Sequence, residues 1–220
     1  MKGPDIAKGS EGLAIASSAE KRCVFVTPIV DVLLGFSIDR TSSASDNVLR
    51  PFAFPLAFGN TLVILDSTFP MQHTRFNPQE KDCVERARGL LQQCVEPWLS
   101  VRRTLEGLIA NTPPPEKGYS YSLSTHIYSR GHGPSVVRFV KLLCLVDRTG
   151  EARELIDDAT QEFEKHGGET IAENDYRKLL TLRSEIVDAS EAARAKYWSE
   201  ARQAMLSALK IDPVYLHGAA

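Results

Sequence analysis

The hydrophobic pattern of this 220-residue chain changes from strand-like to helix-like near Pro78. Upstream, short runs of β-branched, aromatic and other apolar residues predict strands, most clearly at residues 23–27 and 61–65. Downstream, apolar residues recur three or four positions apart, as in amphipathic helices. Strands followed by helices predict an α+β fold, with a small N-terminal antiparallel sheet of two to four strands and a mostly helical C-terminal bundle.

Two segments of the strand-like part have ambiguous patterns. Residues 30–38 are consistent with a strand or with a short helix that ends at Gly35. Residues 48–58 are apolar but contain Pro51 and Pro55. Because proline has no N–H to donate to a neighbouring strand, this segment is expected to be an edge strand or irregular.

Composition and charge limit the class of protein. Hydrophobic residues make up 43% and charged residues 25% of the chain, both ordinary for a soluble globular protein. A formal net charge of −2 gives no electrostatic argument for nucleic-acid or anionic-membrane partners. No apolar stretch reaches transmembrane length, so no membrane association is expected.

The four cysteines carry no metal or disulfide pattern. None forms a C-x-x-C pair, and Cys83 and Cys94 fall on one predicted helix, about 16 Å apart along its axis. Reduced thiols and a cytoplasmic location are therefore expected. Neither a metal nor a cofactor is predicted.

Changes in composition suggest how the chain is organised. Residues 1–20 have few aromatic or branched side chains and are expected to form a disordered tail. Residues 21–112 would hold the sheet and a long helix, and residues 119–220 a helical bundle. The proline-rich stretch 111–118 is the expected boundary, although one continuous domain remains an alternative.

The helical part contains three informative segments. An apolar stripe runs from Val84 to Ile109, and Pro97 inside it should kink or split the helix near Glu96. Residues 134–146 are apolar nearly all round, apart from Arg138 and Lys141, which predicts a helix in the middle of the bundle. Residues 170–210 form either one long helix or two helices that break near Ser190.

The last helix resembles the second helix of a tetratricopeptide repeat. The aromatic, small, large, small and proline positions of that repeat fall on Trp198, Ala201, Met205, Ala208 and Pro213. The resemblance implies close packing of a neighbouring helix at the two alanines. The preceding segment departs from the pattern, since charged residues occupy two of its apolar positions. The N-terminal part is also similar to uncharacterised bacterial α+β domains.

The leading functional hypothesis is a cytoplasmic protein-interaction or accessory module that binds a partner through helical surfaces. Aromatic residues and methionine are favoured at interfaces, so the contact candidates are Trp198, Tyr197, Met205 and Tyr176. Packing in the core is the simpler explanation for all four. Residues 151–188 hold eleven acidic and five basic residues. This segment is either a solvated helical face or an acidic surface that attracts a basic partner.

The alternative hypothesis is an enzyme, or an enzyme subunit, that binds an anionic small molecule near residues 126–134. The candidate ligands of the anion are Arg130, His132 and His126, next to a predicted helix start at Pro134. No phosphate-loop, dinucleotide, hydrolase or metalloprotease motif occurs, so a non-catalytic role is favoured. Self-association through the stripe 84–109 is a third hypothesis.

Overall fold

The computed structural model describes residues 6, 13–14, 23–41, 45–58, 69, 71–111, 134–169 and 171–216. It has the predicted α+β class, with an N-terminal antiparallel sheet and a mostly helical remainder. The strand predicted at residues 61–65 lies outside the described residues. Of the first twenty residues, Ile6 is fully buried and residues 13–14 form a strand.

The sheet is an antiparallel meander in which each strand pairs with the next along the chain. Its centre is the hairpin of β3 and β4, which pair over nine residues, from Val32 opposite Pro55 to Arg40 opposite Asn47. The segment that could have been a short helix is therefore a strand. The five strands are β1 (Leu13–Ala14), β2 (Cys23–Val26), β3 (Val32–Arg40), β4 (Asn47–Pro55) and β5 (Arg75–Phe76).

Strand β4 accommodates both prolines because only its side facing β3 is paired along the full length of the strand. Pro51 and Pro55 lie opposite Phe36 and Val32 of β3, whereas β5 pairs only with the first two residues of β4. Further along that side, the Thr74 hydroxyl donates a 2.8 Å hydrogen bond to the Leu49 carbonyl. Among the described residues, the prolines thus face no second strand, as expected of an edge position.

Seven α-helices follow the sheet in the described part of the chain. Two of them continue into a single π-helical turn, at Leu91–Val95 and Arg183–Val187. The helices are α1 (Cys83–Leu90), α2 (Glu96–Ser100), α3 (Leu105–Ala110), α4 (Pro134–Leu145), α5 (Thr149–His166), α6 (Glu173–Leu182) and α7 (Glu191–Leu209).

Pro97 coincides with a change of helix type and not with a split of the helix, since Val95 and Glu96 both keep right-handed helical angles. The π-helical turn ends at Val95, and α2 begins at Glu96 with Pro97 in its first turn. Proline is tolerated there because the first backbone N–H groups of a helix have no intrahelical acceptor. A break does precede α3, where the extended Thr104 caps the helix and its hydroxyl accepts a 3.0 Å hydrogen bond from the Gly107 N–H. The stripe predicted for one long helix is therefore spread over α1, α2 and α3.

The segment 170–210, described from residue 171, forms two helices and not one. Ser190 has an extended backbone conformation and precedes α7. Its hydroxyl accepts a 3.3 Å hydrogen bond from the Ala193 N–H, which satisfies one of the free donors at the helix start. The break therefore coincides with a helix cap.

One hydrophobic core joins the sheet to the helices. Helix α4 contributes buried side chains all round, including Val136, Phe139 and Leu142, which confirms its predicted central position. Helix α7 packs against the 3-10 turn Leu56–Phe58 that follows β4. The C-terminal segment also reaches the sheet, because the Ile29 N–H donates a 2.8 Å hydrogen bond to the Tyr215 carbonyl.

Candidate anion-binding cleft

The anion site predicted from sequence falls in a part of the chain without a described structure. Arg130, His132 and His126 all lie between residues 112 and 133, outside the described residues. The helix expected to follow them is present, since α4 begins at Pro134. The convergence of these three side chains therefore stays a prediction.

The predicted partner-contact residues occupy three different environments. Met205 is only 1% exposed and belongs to the core, so it is not available at the surface. Tyr197 and Trp198 are half-buried and meet edge to face, with ring centroids 4.8 Å apart. Tyr176 is half-buried and stacks on Phe163 at 4.0 Å. These contacts use much of each ring for packing within the molecule.

The two alanines of the tetratricopeptide-like helix differ in exposure. Ala201 is half-buried, whereas Ala208 is exposed. The close helix packing that the resemblance implied at Ala208 is therefore not seen among the described residues. The resemblance itself stays a prediction.

A cleft of about 150 Å³ lies between the sheet and two helices. It opens where the end of β4 and the following 3-10 turn meet the sides of α4 and α6. The lining residues are Phe54, Phe58, Val137, Arg138, Lys141, Asp175 and Lys178. Apolar side chains from the core and charged side chains from the helices thus share one concave surface, the usual composition of a small-molecule site.

The apolar part of the cleft is held in place by the core. Phe54 is fully buried at the end of β4, and Phe58 is 8% exposed. Their rings meet edge to face at a centroid distance of 5.3 Å, an arrangement that aromatic pairs favour. The fully buried Phe54 therefore supports the ring of Phe58, which has the exposed surface that an apolar part of a ligand could contact.

The charged part comes from matching positions on two helices. Arg138 and Lys141 are three residues apart on α4, and Asp175 and Lys178 are three residues apart on α6. Side chains at this spacing lie on the same face of a helix. Both pairs can therefore line the same cleft, although they are far apart in the sequence.

Asp175 and Lys178 form a partly buried ion pair. The residue Asp175 is 6% exposed, and its Oδ1 accepts a 2.8 Å hydrogen bond from Lys178 Nζ. The side chain of Lys178 is half exposed. A carboxylate that is buried in this way requires a nearby positive charge, so the pair fixes the Lys178 ammonium at the cleft.

Lys141 has a different environment. Its Nζ lies 5.9 Å from the centroid of the Phe58 ring, and within the described part of the chain it forms no ion pair. Burial lowers the pKa of Lys141 from its ordinary value, and the positive charge of Lys178 lowers it further. Both effects arise because a second cation has been placed in a site with little water and one carboxylate.

The lining groups combine into an electropositive site. The lining holds three cationic side chains and one carboxylate, a formal sum of +2. Of the two lysines among them, Lys178 is paired with Asp175, and Lys141 forms no ion pair with a described residue. Like charges that are held together in a half-buried cleft favour binding of an anion, which relieves their repulsion. The arrangement can hold a carboxylate or a phosphate against an aromatic wall.

About half of the carboxylates in the acidic segment 151–188 form ion pairs within the molecule. Asp188 pairs with Arg153 at 2.7 Å, and Arg183 lies between Asp157 and Asp188. Other carboxylates of the segment pair with their neighbours on the same helix, as at Glu151 and Glu173. Two of these ion pairs, Arg153–Asp188 and Arg183–Asp157, connect α5 to the turn after α6. The carboxylates in them are therefore already paired and contribute less to the attraction of a basic partner.

The described residues give little support to thiolate or metal chemistry. Cys144 is 4% exposed, and burial raises the pKa of its thiol to about 11. This opposes formation of the nucleophilic thiolate at neutral pH. In the described part of the chain, no three His, Cys, Asp or Glu residues are grouped so that they could hold a metal ion. Nor does any described helix combine the length and apolar character needed to cross a membrane.

Comparison with known proteins gives no independent assignment for this cleft. No family model matches the chain, and neither the curated proteins nor the solved structures contain a match.

Proposed function

We propose that the protein binds a small anionic molecule in the cleft between β4, α4 and α6. The observation that carries the proposal is the convergence of Lys141 and Lys178 from two helices at the aromatic side chain of Phe58. Among the described residues, Lys141 makes no ion pair that would neutralise it. The proposed ligand is of the same chemical class as the anion expected near residues 126–134. The proposed site is formed by other residues, which the structure describes.

The lining residues define the chemistry of the ligand. The cations favour one carboxylate or phosphate group, and Phe54 and Phe58 favour an apolar or aromatic part beside it. A cleft of about 150 Å³ limits the enclosed part to a small group rather than a nucleotide or a peptide. An aryl phosphate is a probe with both features.

Isothermal titration calorimetry with phenyl phosphate and with inorganic phosphate tests the proposal. Phenyl phosphate should bind more tightly, because only it can use the aromatic wall. Lys141→Gln should weaken binding about tenfold, the loss expected for one charge-assisted hydrogen bond. The matched control is Lys165→Gln, an exposed lysine in the last turn of α5. No binding by the wild type, or equal effects of the two variants, would contradict the proposal.

A second candidate function is recognition of a basic segment of a partner protein beside Tyr197. The observations that favour it are the half-buried aromatic pair of Tyr197 and Trp198 on the surface of α7 and the exposed carboxylate of Glu185. Burial raises the pKa of Tyr197, and the charge of Glu185 raises it further. Tyr197 is half-buried and Glu185 is exposed, so a lysine or arginine could contact both the ring and the carboxylate. This surface retains the protein-interaction hypothesis without using Met205.

Titration with a lysine-rich helical peptide at low salt tests the second candidate. Binding should weaken when Glu185 is replaced by glutamine and should fall steeply as salt is added. Glu164→Gln, at an exposed position on α5, is the control. If the peptide does not bind, or binds equally well to both variants, the Tyr197 surface has no such role.

A further inference from the structure

We propose that Lys141 is an amine nucleophile, which forms a reversible imine with a small aldehyde or 2-oxo acid whose anionic group is held by the other cations of the cleft. The inference rests on the proposed function, since the anionic group must first bind in the cleft. It adds an activity and a substrate class to that function. It also assigns different roles to the two lysines.

The two lysines differ in their ion-pair partners. Lys178 Nζ donates a 2.8 Å hydrogen bond to Asp175 Oδ1, a carboxylate that is almost fully buried. Lys141 Nζ has no such carboxylate among the described residues and lies 5.9 Å from the Phe58 ring centroid. Lys178 is thus held by a carboxylate, whereas Lys141 has no carboxylate partner among the described residues.

The surroundings of Lys141 favour the neutral amine. The charged groups that line the cleft with it are Arg138 from α4 and Asp175 and Lys178 from α6, while β4 and the following turn contribute only Phe54 and Phe58. The carboxylate of Asp175 is already paired. Partial burial and the adjacent Lys178 both lower the pKa of Lys141, the two ways in which proteins activate a lysine for attack on a carbonyl.

The reaction needs no oxidant, reductant or metal. The neutral Nζ attacks the carbonyl carbon, a C–N bond forms, and the electron pair of the C=O bond moves to oxygen. Proton transfer from nitrogen to oxygen gives a carbinolamine. The nitrogen lone pair then expels the hydroxyl group, which leaves as water with a proton taken from solvent, and a protonated imine remains. Hydrolysis reverses each step and returns the amine.

The geometry selects carbonyl compounds that carry a negative charge. A carboxylate placed near Lys178 and Arg138 would bring an adjacent carbonyl carbon towards Lys141, since all three side chains line one cleft. Such positioning raises the effective concentration of the carbonyl at the amine. Neutral aldehydes of similar size lack this advantage.

Reductive trapping on the full-length protein tests the inference. The protein is treated with glyoxylate or, in parallel, with acetaldehyde, in the presence of cyanoborohydride, which reduces an imine to a stable secondary amine. Peptide mass spectrometry then measures the rate of modification at each lysine. Glyoxylate should modify Lys141 about tenfold faster than it modifies the exposed Lys165 and Lys196, because its carboxylate is held in the cleft.

Two further measurements separate this inference from the proposed function. Phenyl phosphate should protect Lys141 from glyoxylate, and Lys178→Gln should slow its modification and shift the pH midpoint of the rate upwards. If phenyl phosphate binds by calorimetry but glyoxylate modifies Lys141 no faster than Lys165, the imine is excluded and the proposed function stands. If phenyl phosphate does not bind, and Lys141 reacts equally with glyoxylate and acetaldehyde, both proposals are overturned.

Discussion

Lys178 Nζ and Asp175 Oδ1 lie 2.8 Å apart at the edge of the cleft, with the carboxylate almost fully buried and the ammonium half exposed. The pair therefore stabilises the buried charge and at the same time directs a cation towards the cleft. Removal of the carboxylate should affect stability and anion binding in opposite directions. A general loss of structure would not produce such a result.

Asp175→Asn should lower the free energy of unfolding by about 1–2 kcal/mol, because a buried acceptor loses its charge and Lys178 loses its partner. It should also tighten binding of phenyl phosphate, since the formal charge of the lining rises from +2 to +3. Urea unfolding and calorimetry measure the two effects. Glu173→Gln is the control, because the exposed Glu173–Arg177 pair should contribute no more than about 0.5 kcal/mol.

Lys141→Met should stabilise the protein at neutral pH. The pKa of Lys141 is lower in the folded protein than its ordinary value of 10.5, so the unfolded chain binds more protons between the two values. Stability therefore rises with pH through that interval, and at neutral pH the lysine lowers it. Methionine keeps a similar length without the charge.

Urea unfolding of the wild type and Lys141→Met across pH 7–11 measures this effect. The difference between them should be largest near neutral pH and should disappear as the pH approaches the ordinary lysine pKa. Because Cys144 and Tyr197 titrate in both proteins, their contributions to the pH dependence of stability cancel in the difference. A wild type that is the more stable of the two at pH 7 would be inconsistent with a destabilising charge at this position.

Gly35→Ala should destabilise the sheet, while Gly89→Ala should not. A Cβ at Gly35 would overlap the Val24 carbonyl oxygen and lie 2.6 Å from Cζ of Phe52. Since Gly35 is in the middle of β3, relief of the clash requires movement of the core, which costs about 1–3 kcal/mol or more. At Gly89, in α1, a Cβ meets no atom within 4 Å, and alanine should add up to about 1 kcal/mol. Thermal unfolding of the two variants gives the comparison.

Cys144 should be the slowest of the four cysteines to react with a thiol reagent in the native protein. It is buried with a pKa raised to about 11, whereas Cys23, Cys83 and Cys94 are partly exposed. Since the thiolate is the reactive form, both accessibility and ionisation disfavour attack. Iodoacetamide labelling at pH 8, followed by peptide mass spectrometry, measures the order. Rapid labelling of Cys144 without denaturant would show that α4 does not pack as described.

Local signals in the sequence predicted much of the fold. Two of these signals act over a few residues and have their expected counterparts, namely the apolar residues of α4 and the alternation of strands and turns. Pro97 marks a change from π- to α-helix and not a split. For residues 170–210, the sequence was compatible with one helix or with two. The Ser190 cap decides it, because serine is compatible with a helix interior and only its hydrogen bond to Ala193 identifies a helix start.

The cleft could not be predicted in the same way because its residues come from distant parts of the chain. Phe58, Lys141 and Asp175 become neighbours only when β4, α4 and α6 pack together. One signal was present: Arg138 and Lys141 are the only charges in an otherwise apolar helix that lies in the middle of the core. A charge in such a helix requires either a partner or a solvent-filled cleft, so the two residues indicate a polar site on α4.

NMR chemical-shift mapping with phenyl phosphate is the most direct test of the cleft as a binding site. On titration, the backbone amides of Phe58, Arg138, Lys141, Asp175 and Lys178 should shift together, with one dissociation constant. Amides around Tyr197 and in α1, which lie outside the cleft lining, should stay unchanged. Shifts that are absent, or that are spread over surface lysines such as Lys165 and Lys196 without saturation, would contradict the assignment of this cleft as an anion site.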